Sequence, residues 1–319
     1  MNGRKILAAA VVIAALTGGI GYARWTQRPL TLAELTAIYK LPNSQFTEID
    51  GLKVHFAENG AKDLPCLVLA QGATMNLRLW DDLVSRLQPQ FHILRIDTLT
   101  QGLTAPDPQG DYSAGHDTRI LETFMQRLGL TRCTFIGNGG GGRIAYRYAA
   151  AHPAQVDKLV LIASEGAPHP VPAPKRQVAK FRRLVGLFSA KNAWTDRFYE
   201  SFGAIPPTRE LLQMTYDMNR RAGLEDEQRL ADAAHAGGDD AEAVLPKITA
   251  PTLLLWGTGD TTTPSMDAES FAAWLTSAPS TTRLYNFAGH YPFIEFPKDV
   301  TRDILEFLSG AHQGDEQKQ

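Results

Sequence analysis

The chain has 319 residues, of which 44% are hydrophobic and 21% are charged, a composition typical of a globular protein that buries a core. Its formal net charge is −2, which excludes the strong excess of Lys and Arg found in nucleic-acid-binding domains. The only two cysteines, Cys66 and Cys133, have no metal-binding spacing and are too few for a disulfide scaffold. We expect both to be buried free thiols, and we expect no metal and no cofactor.

The N-terminal 28 residues carry the one targeting signal. Arg4 and Lys5 precede an apolar run over residues 6–23. The run is about as long as a minimal membrane-spanning helix and longer than most signal-peptide cores. This favours an uncleaved signal anchor over residues 1–28, with the rest of the chain exported. The small residues of Gly21-Tyr22-Ala23 keep a cleaved signal peptide as the alternative.

From residue 29 onward the chain alternates between predicted strands and predicted helices. Thr31 and Glu34 have capping-box spacing, which predicts a short helix up to Tyr39. Alternating polarity around Asp50-Gly51 predicts a β-hairpin. Strands are predicted at residues 45–49, 52–58, 66–70, 91–96, 133–136, 159–163, 253–256 and 282–287. Further helices are predicted at residues 77–87, 117–128, 143–151, 265–275 and 297–308. This alternation predicts an α/β fold.

The stretch from Glu165 to Lys247 interrupts the alternation. It begins with a proline-rich linker at residues 168–174 and contains no strand pattern. Four helical segments are predicted in it, at residues 175–188, 194–202, 208–221 and 225–236. We expect a helical cap inserted between two strands and covering a pocket. The predicted domains are the anchor at 1–28, the core at 29–164 and 248–309, the cap at 165–247 and a disordered tail at 310–319.

A glycine-rich turn joins the predicted strand at 133–136 to the helix that follows it. One interpretation is the nucleophile elbow, G-x-S-x-G, with Gly139 standing where the serine would be. The other is the dinucleotide fingerprint G-x-G-x-x-G, formed by Gly137, Gly139 and Gly142, with Glu165 at about the ribose-binding distance. We favour the elbow because that fingerprint usually opens its domain, and here it lies in the middle of the chain.

Two further polar residues follow predicted strands, at the sheet edge where ligands bind in open α/β folds. The order elbow, Asp260, His290 is the chain order of the hydrolase triad. We predict that His290 is a general base and that Asp260 orients its imidazole. Glu165, after the strand that follows the elbow, is the alternative acid. The amides of Ala73 and Gly140 are the predicted oxyanion hole.

On these residues the chain resembles the α/β-hydrolase fold family from about Phe46 to Leu308. The matching stretches are residues 67–72, 97 with 102–104, 137–142, 253–260 and 289–292. The resemblance implies an eight-stranded, mostly parallel sheet flanked by helices, with a helical cap. It also implies a hydrolase that acts on small ester, lactone or activated C–C bond substrates. The anchor is similar to that of a bacterial membrane-attached subgroup, which implies attachment to the inner membrane with the catalytic domain in the periplasm.

Two departures from the family pattern bear on function. Gln71 replaces the usual histidine before Gly72, and Gly139 replaces the nucleophile. Glycine adopts positive φ without the strain of ~1–3 kcal/mol that such turns store, so the turn is preserved while acyl-enzyme chemistry is lost. If Gly139 replaces a native serine, the parent protein is a serine hydrolase that uses Asp260 and His290. If the glycine is natural, either His290 activates water, which is worth ~10²–10⁴-fold, or the pocket holds a small molecule without turnover. A dinucleotide-binding oxidoreductase is the remaining alternative.

Overall fold

A computed structural model describes residues 28–72, 75–168, 193–234 and 241–310. Four predicted features lie outside the described residues. They are the anchor up to residue 27, the oxyanion-hole residue Ala73, the cap helix at 175–188 and the tail after Gly310. Among the described helices, none has both the length and the apolar character needed to cross a membrane.

Eight strands form one sheet in the order β1-β2-β4-β3-β5-β6-β7-β8. The strands are β1 Ser44–Ile49, β2 Leu52–Asn59, β3 Cys66–Ala70, β4 His92–Ile96, β5 Cys133–Asn138, β6 Val156–Ile162, β7 Thr252–Gly257 and β8 Ser280–Tyr285. Strand β2 runs antiparallel to both of its neighbours, and every other pair is parallel. The predicted eight-stranded, mostly parallel α/β sheet is confirmed.

Helices alternate with these strands along the chain. They are α1 Leu32–Tyr39, α2 Asp81–Leu87, α3 Ala114–Arg127, α4 Gly140–Ala151, α5 Ala193–Glu200, α6 Arg209–Met218, α7 Leu224–Ala234, α8 Ala241–Val244, α9 Met266–Trp274, α10 Pro292–Glu295 and α11 Pro297–Ser309. The predicted capping box of α1 is present, because Glu34 N–H donates to Thr31 Oγ1 and Thr31 N–H donates back to the Glu34 carboxylate. The described parts of the predicted cap, residues 165–168, 193–234 and 241–247, contain helices α5 to α8 and no strand.

The sheet is buried on both faces. Val68 of β3 belongs to one hydrophobic core, whereas its neighbours Leu67 and Leu69 belong to a second core. Because successive side chains of a strand point to opposite faces, the two cores lie on opposite sides of the sheet. This explains why the central strands are continuously apolar rather than alternating. Asp97 follows β4 and Asn138 ends β5, so these strand ends carry polar side chains, and the candidate site lies at the same edge of the sheet.

The prediction of free thiols is wrong. Cys66 and Cys133 form a disulfide, with their Cα atoms 4.7 Å apart. They stand at the first positions of β3 and β5, two neighbouring parallel strands in which Leu67 pairs with Thr134. Composition could not reveal this bond, because it depends on strand order and register.

Strand β8 lies two residues earlier in the chain than predicted and leaves a longer loop before His290. It ends at Tyr285, and Phe287 has a φ of +63° with 77% of its surface exposed. A positive φ is incompatible with continued strand geometry, so the loop begins after Tyr285. We call residues 286–290 the His loop.

Candidate active site

The glycine-rich turn connects β5 to α4 as a sharp strand-to-helix elbow. Gly139, the residue before the helix, has φ +54° and ψ −123°, a conformation that glycine adopts without steric cost. Its N–H donates to the Ile162 carbonyl, and its carbonyl accepts from Glu165 N–H at 3.1 Å. These bonds tie the elbow to the end of β6, so the turn keeps its shape without a side chain at position 139.

His290 and Asp260 meet beside this elbow. His290 Nδ1 lies 2.9 Å from Asp260 Oδ2, and both residues are buried. Asp260 also accepts hydrogen bonds from the backbone N–H groups of Thr262 and Thr263 and from the Thr263 hydroxyl. These donors fix the carboxylate, which in turn can hold the imidazole in one orientation and tautomer.

The charge balance around His290 favours its protonated form. Burial of the imidazole opposes protonation, but the charge and hydrogen bond of Asp260 and the more distant charge of Glu165 outweigh burial. The pKa of His290 is therefore raised above its ordinary value. An imidazolium formed at this position would be stabilised by two carboxylates, which suits a residue that accepts a proton during a reaction.

The second nitrogen of His290 faces Gly139 at the tip of the elbow. A Cβ built ideally on Gly139 would lie 3.0 Å from His290 Nε2. The imidazole therefore points at the place where a side chain of residue 139 would begin. The structure thus brings together the elbow, Asp260 and His290, three segments far apart in sequence.

Glu165, the alternative acid, lies beside the site without a hydrogen bond to His290. Its carboxylate is 3.5 Å from Arg143 Nη1, and its side chain is 35% exposed. The carboxylate also lies 3.4 Å from an ideal Cβ position on Gly140. Asp260, rather than Glu165, contacts the imidazole directly.

Of the predicted oxyanion-hole residues, Ala73 lies outside the described residues and Gly140 begins α4. An ideal Cβ on Gly72 would approach the Gly140 nitrogen to 3.1 Å, so a side chain at position 72 would crowd that amide. Gln71, at the position of the family's usual histidine, is fully buried and donates Nε2 to Asp97 Oδ1 at 2.8 Å. The substituted residue is therefore held in place by Asp97.

Asp97 organises the loops next to the site, a role that the sequence analysis did not assign. Besides Gln71, its carboxylate accepts from Leu77 N–H at 2.7 Å and from Leu103 N–H at 2.8 Å, and it lies 2.6 Å from His55 Nδ1. Asn138 and Glu295 were also missed, although both bond to segments that hold His290. A lone carboxylate within the apolar run 293–296 was a signal for Glu295.

A family model for the alpha/beta hydrolase fold matches residues 65–297, a range that contains the elbow, Asp260 and His290. The chain belongs to the α/β-hydrolase fold family. It is similar to a 2-hydroxy-6-oxononadienedioate/2-hydroxy-6-oxononatrienedioate hydrolase of Cupriavidus pinatubonensis, with 26% identity over 288 residues that cover 86% of this chain and 99% of that protein.

Solved structures share this fold. A bacterial membrane phospholipase A superposes with a TM-score of 0.71 at 22% identity, covering 98% of this chain and 100% of the other. The enol-lactonase of Burkholderia xenovorans gives a TM-score of 0.66 at 22% identity, covering 83% of this chain and 100% of the other. In this fold the glycine-rich turn follows the fifth strand, so the α/β-hydrolase elbow accounts for it better than the opening turn of a dinucleotide-binding domain.

Proposed function

We propose that this chain is a hydrolase in which His290 activates a water molecule directly, without a covalent enzyme intermediate. The observation that carries the proposal is the distance of 3.0 Å between His290 Nε2 and an ideal Cβ position on Gly139. Glycine places no side chain between the elbow and Nε2, and the proposal puts the attacking water within hydrogen-bond reach of that nitrogen. The proposed substrates are small esters, lactones or activated C–C bond compounds.

In the proposed reaction, His290 Nε2 removes one proton as the water oxygen bonds to the substrate carbonyl carbon. The carbonyl electron pair moves to its oxygen, which the Gly140 amide stabilises. Asp260 stabilises the imidazolium, as does the charge of Glu165 at longer range. When the oxyanion collapses, the bond to the leaving group breaks and Nε2 returns its proton to that group. A carboxylic acid and an alcohol, or a carbon acid for a C–C substrate, are released.

The test is hydrolysis of a panel of aryl esters, lactones and vinylogous diketones by the native chain, by His290→Gln and by Gly139→Ser. We expect slow turnover by the native chain that His290→Gln abolishes. A fluorophosphonate probe should label Gly139→Ser and leave the native chain unlabelled, because only the variant has a hydroxyl beside Nε2. Native turnover no faster than that of His290→Gln on every substrate would contradict the proposal.

A second candidate function is binding of a small molecule without turnover. The observation in its favour is that Gly139 supplies no nucleophile while the elbow around it remains intact. A ligand found by thermal-shift screening and recovered chemically unchanged would support it. The assembled Asp260–His290 pair favours hydrolysis, since a binding protein has no need of an oriented base.

We also propose that the catalytic domain lies in the bacterial periplasm, held to the inner membrane by residues 1–28 or released after cleavage. The apolar run over residues 6–23 supports an exported chain. The disulfide between Cys66 and Cys133 supports an oxidising compartment, because such bonds are rare in the cytosol. Cell fractionation combined with protease treatment of spheroplasts tests this: the domain should be degraded, and it should remain with membranes only if the anchor is uncleaved.

A further inference from the structure

Both backbone polar groups of His290 bond to other segments of the molecule. Its N–H donates to the carbonyl of Ser201 at 2.7 Å, in the linker that follows cap helix α5. Its carbonyl accepts from Asn138 Nδ2 at 3.1 Å, in the elbow. The position of the imidazole therefore depends on the cap linker, residues 201–205, on one side and on the elbow on the other.

A buried carboxylate joins the cap linker to the His loop a second time. Glu295 is 2% exposed. One of its oxygens accepts from Gly203 N–H at 3.1 Å and from Ile205 N–H at 3.0 Å. The other oxygen accepts from Gly289 N–H, next to His290, at 2.7 Å. Hydrogen bonds to a charged acceptor are stronger than neutral ones, and a buried one is costly to break.

The two segments meet backbone against backbone. An ideal Cβ on Gly203 would lie 2.7 Å from the Gly289 nitrogen, and one on Gly289 would lie 2.8 Å from the Gly203 nitrogen. Cβ atoms do not approach other atoms so closely, so neither residue has room for a side chain. The rings of Phe198 and Phe202 also pack on Tyr291, with centroids 5.2 and 5.1 Å apart. Because the contact has no flexible side chains between the backbones, movement of one segment displaces the other.

We propose that Glu295 is a positioning residue that locks the cap linker to the His loop, so that His290 is aligned only while α5 is seated. A ligand that seats or lifts α5 would then change the environment of the imidazole without touching it. The proposal rests on the proposed function only where it treats His290 as the base.

The test follows the histidine side chains of the full chain by NMR at fixed pH, in the native protein, Glu295→Gln and Gly203→Ala. Glu295→Gln replaces one accepting oxygen by an NH₂ group, so at least one of the three amides loses its partner. We expect altered Nδ1 and Nε2 shifts of His290, with hydrogen exchange at amides 203, 205 and 289 at least about tenfold faster. Gly203→Ala disrupts the contact between residues 203 and 289 from the cap side and should alter the same His290 signals.

Matched controls are the exposed Glu269→Gln and Gly115→Ala, whose added Cβ would meet only Arg119 Nη1 at 3.5 Å. His55, a buried histidine elsewhere, is an internal reference in every spectrum. Shifts confined to His290 support the proposal. Unchanged His290 signals overturn it, and so do equal changes at His55, because those indicate a general loosening of the fold.

An activity measurement separates this proposal from the proposed function. If the native chain turns over substrate, Glu295→Gln should lower kcat more than it raises KM, since alignment of the base rather than binding is affected. If the native chain shows no turnover, the proposed function fails. The NMR comparison still decides whether Glu295 couples the cap linker to His290.

Discussion

Within the described part of the chain, two buried histidine–aspartate pairs join an imidazole Nδ1 to a carboxylate Oδ2. His290 Nδ1 lies 2.9 Å from Asp260 Oδ2, and His55 Nδ1 lies 2.6 Å from Asp97 Oδ2. The pairs differ at the second imidazole nitrogen. His55 Nε2 lies 2.8 Å from Ser44 Oγ, whereas His290 Nε2 faces the position above Gly139. On the proposed function, this difference in the surroundings of Nε2 is what separates a pair that can act on a substrate from a pair that only supports the fold.

The surroundings of the two carboxylates agree with this distinction. Asp97 accepts from the amides of Leu77 and Leu103 and from Gln71, so it fastens two loops to the sheet. Asp260 accepts mainly from the turn that carries it. The first pair therefore holds loops, and the second is the pair to which we attribute the proposed chemistry.

The largest expected effect separates the two histidines by function. His290→Gln should reduce turnover by ~10²–10⁴-fold, because it removes the general base. His55→Gln should leave kcat per folded molecule within a few-fold of native. Steady-state rates, normalised to the folded fraction from circular dichroism, check both variants. An equal loss of rate in the two variants would break the distinction.

The next largest effect is on stability. Asp97→Asn removes a charged acceptor and leaves buried hydrogen-bond donors without a partner. We therefore expect it to lower the free energy of unfolding by about 3–5 kcal/mol. Urea denaturation measures this change. The exposed Asp226→Asn is the matched control and should have little effect. A change below about 1 kcal/mol in Asp97→Asn would show that the loops are held mainly by their apolar contacts.

The two pairs also differ in how far sequence could reveal them. Asp260 and His290 follow predicted strands, and the rule that ligands bind beyond strand ends was enough to bring them together. The His55–Asp97 pair requires β2 to run antiparallel beside β4, with Phe56 opposite Ile96. Polarity patterns predict a strand but not its neighbour, which is also why the Cys66–Cys133 bond was missed.

Hydrogen bonds made by backbone groups could not be predicted from the sequence either. Among the described residues, Glu295 accepts only from main-chain N–H groups, and every residue except proline carries one. The sequence therefore contains no particular residue type by which the hydrogen-bond donors to Glu295 could be recognised. The direction in which His290 Nε2 points depends on the same contacts, so sequence could predict which residues form the candidate site but not its alignment.

A smaller effect tests the contact between His55 Nε2 and Ser44 in the His55–Asp97 pair. Ser44→Ala leaves His55 Nε2 without its hydroxyl partner at a half-buried position, and we expect a loss of about 1–2 kcal/mol in unfolding free energy. Turnover should not change. Ser85→Ala, on the exposed side of α2, is the control for loss of a serine hydroxyl. If Ser44→Ala alters turnover as much as stability, the first pair also takes part in the chemistry.

The smallest expected effect concerns pH and the charge of Glu165. The base must be neutral to accept a proton, and the pKa of His290 is raised, so turnover should rise with pH through a midpoint above the ordinary histidine value of about 6.5. Glu165→Gln removes one of the charges that raise this pKa and should move the midpoint to lower pH.

The stability effect has a defined sign: the protonated form is favoured in the folded state, so its contribution is present below the unfolded pKa and is lost as pH rises through the folded pKa. Urea denaturation from pH 5.5 to 9 should therefore show a decline in unfolding free energy that is reduced in Glu165→Gln and absent in His290→Gln. A decline of the same size in all three chains would show that the titrating group is not His290. The His290–Asp260 pair would then have no electrostatic property that distinguishes it from the His55–Asp97 pair.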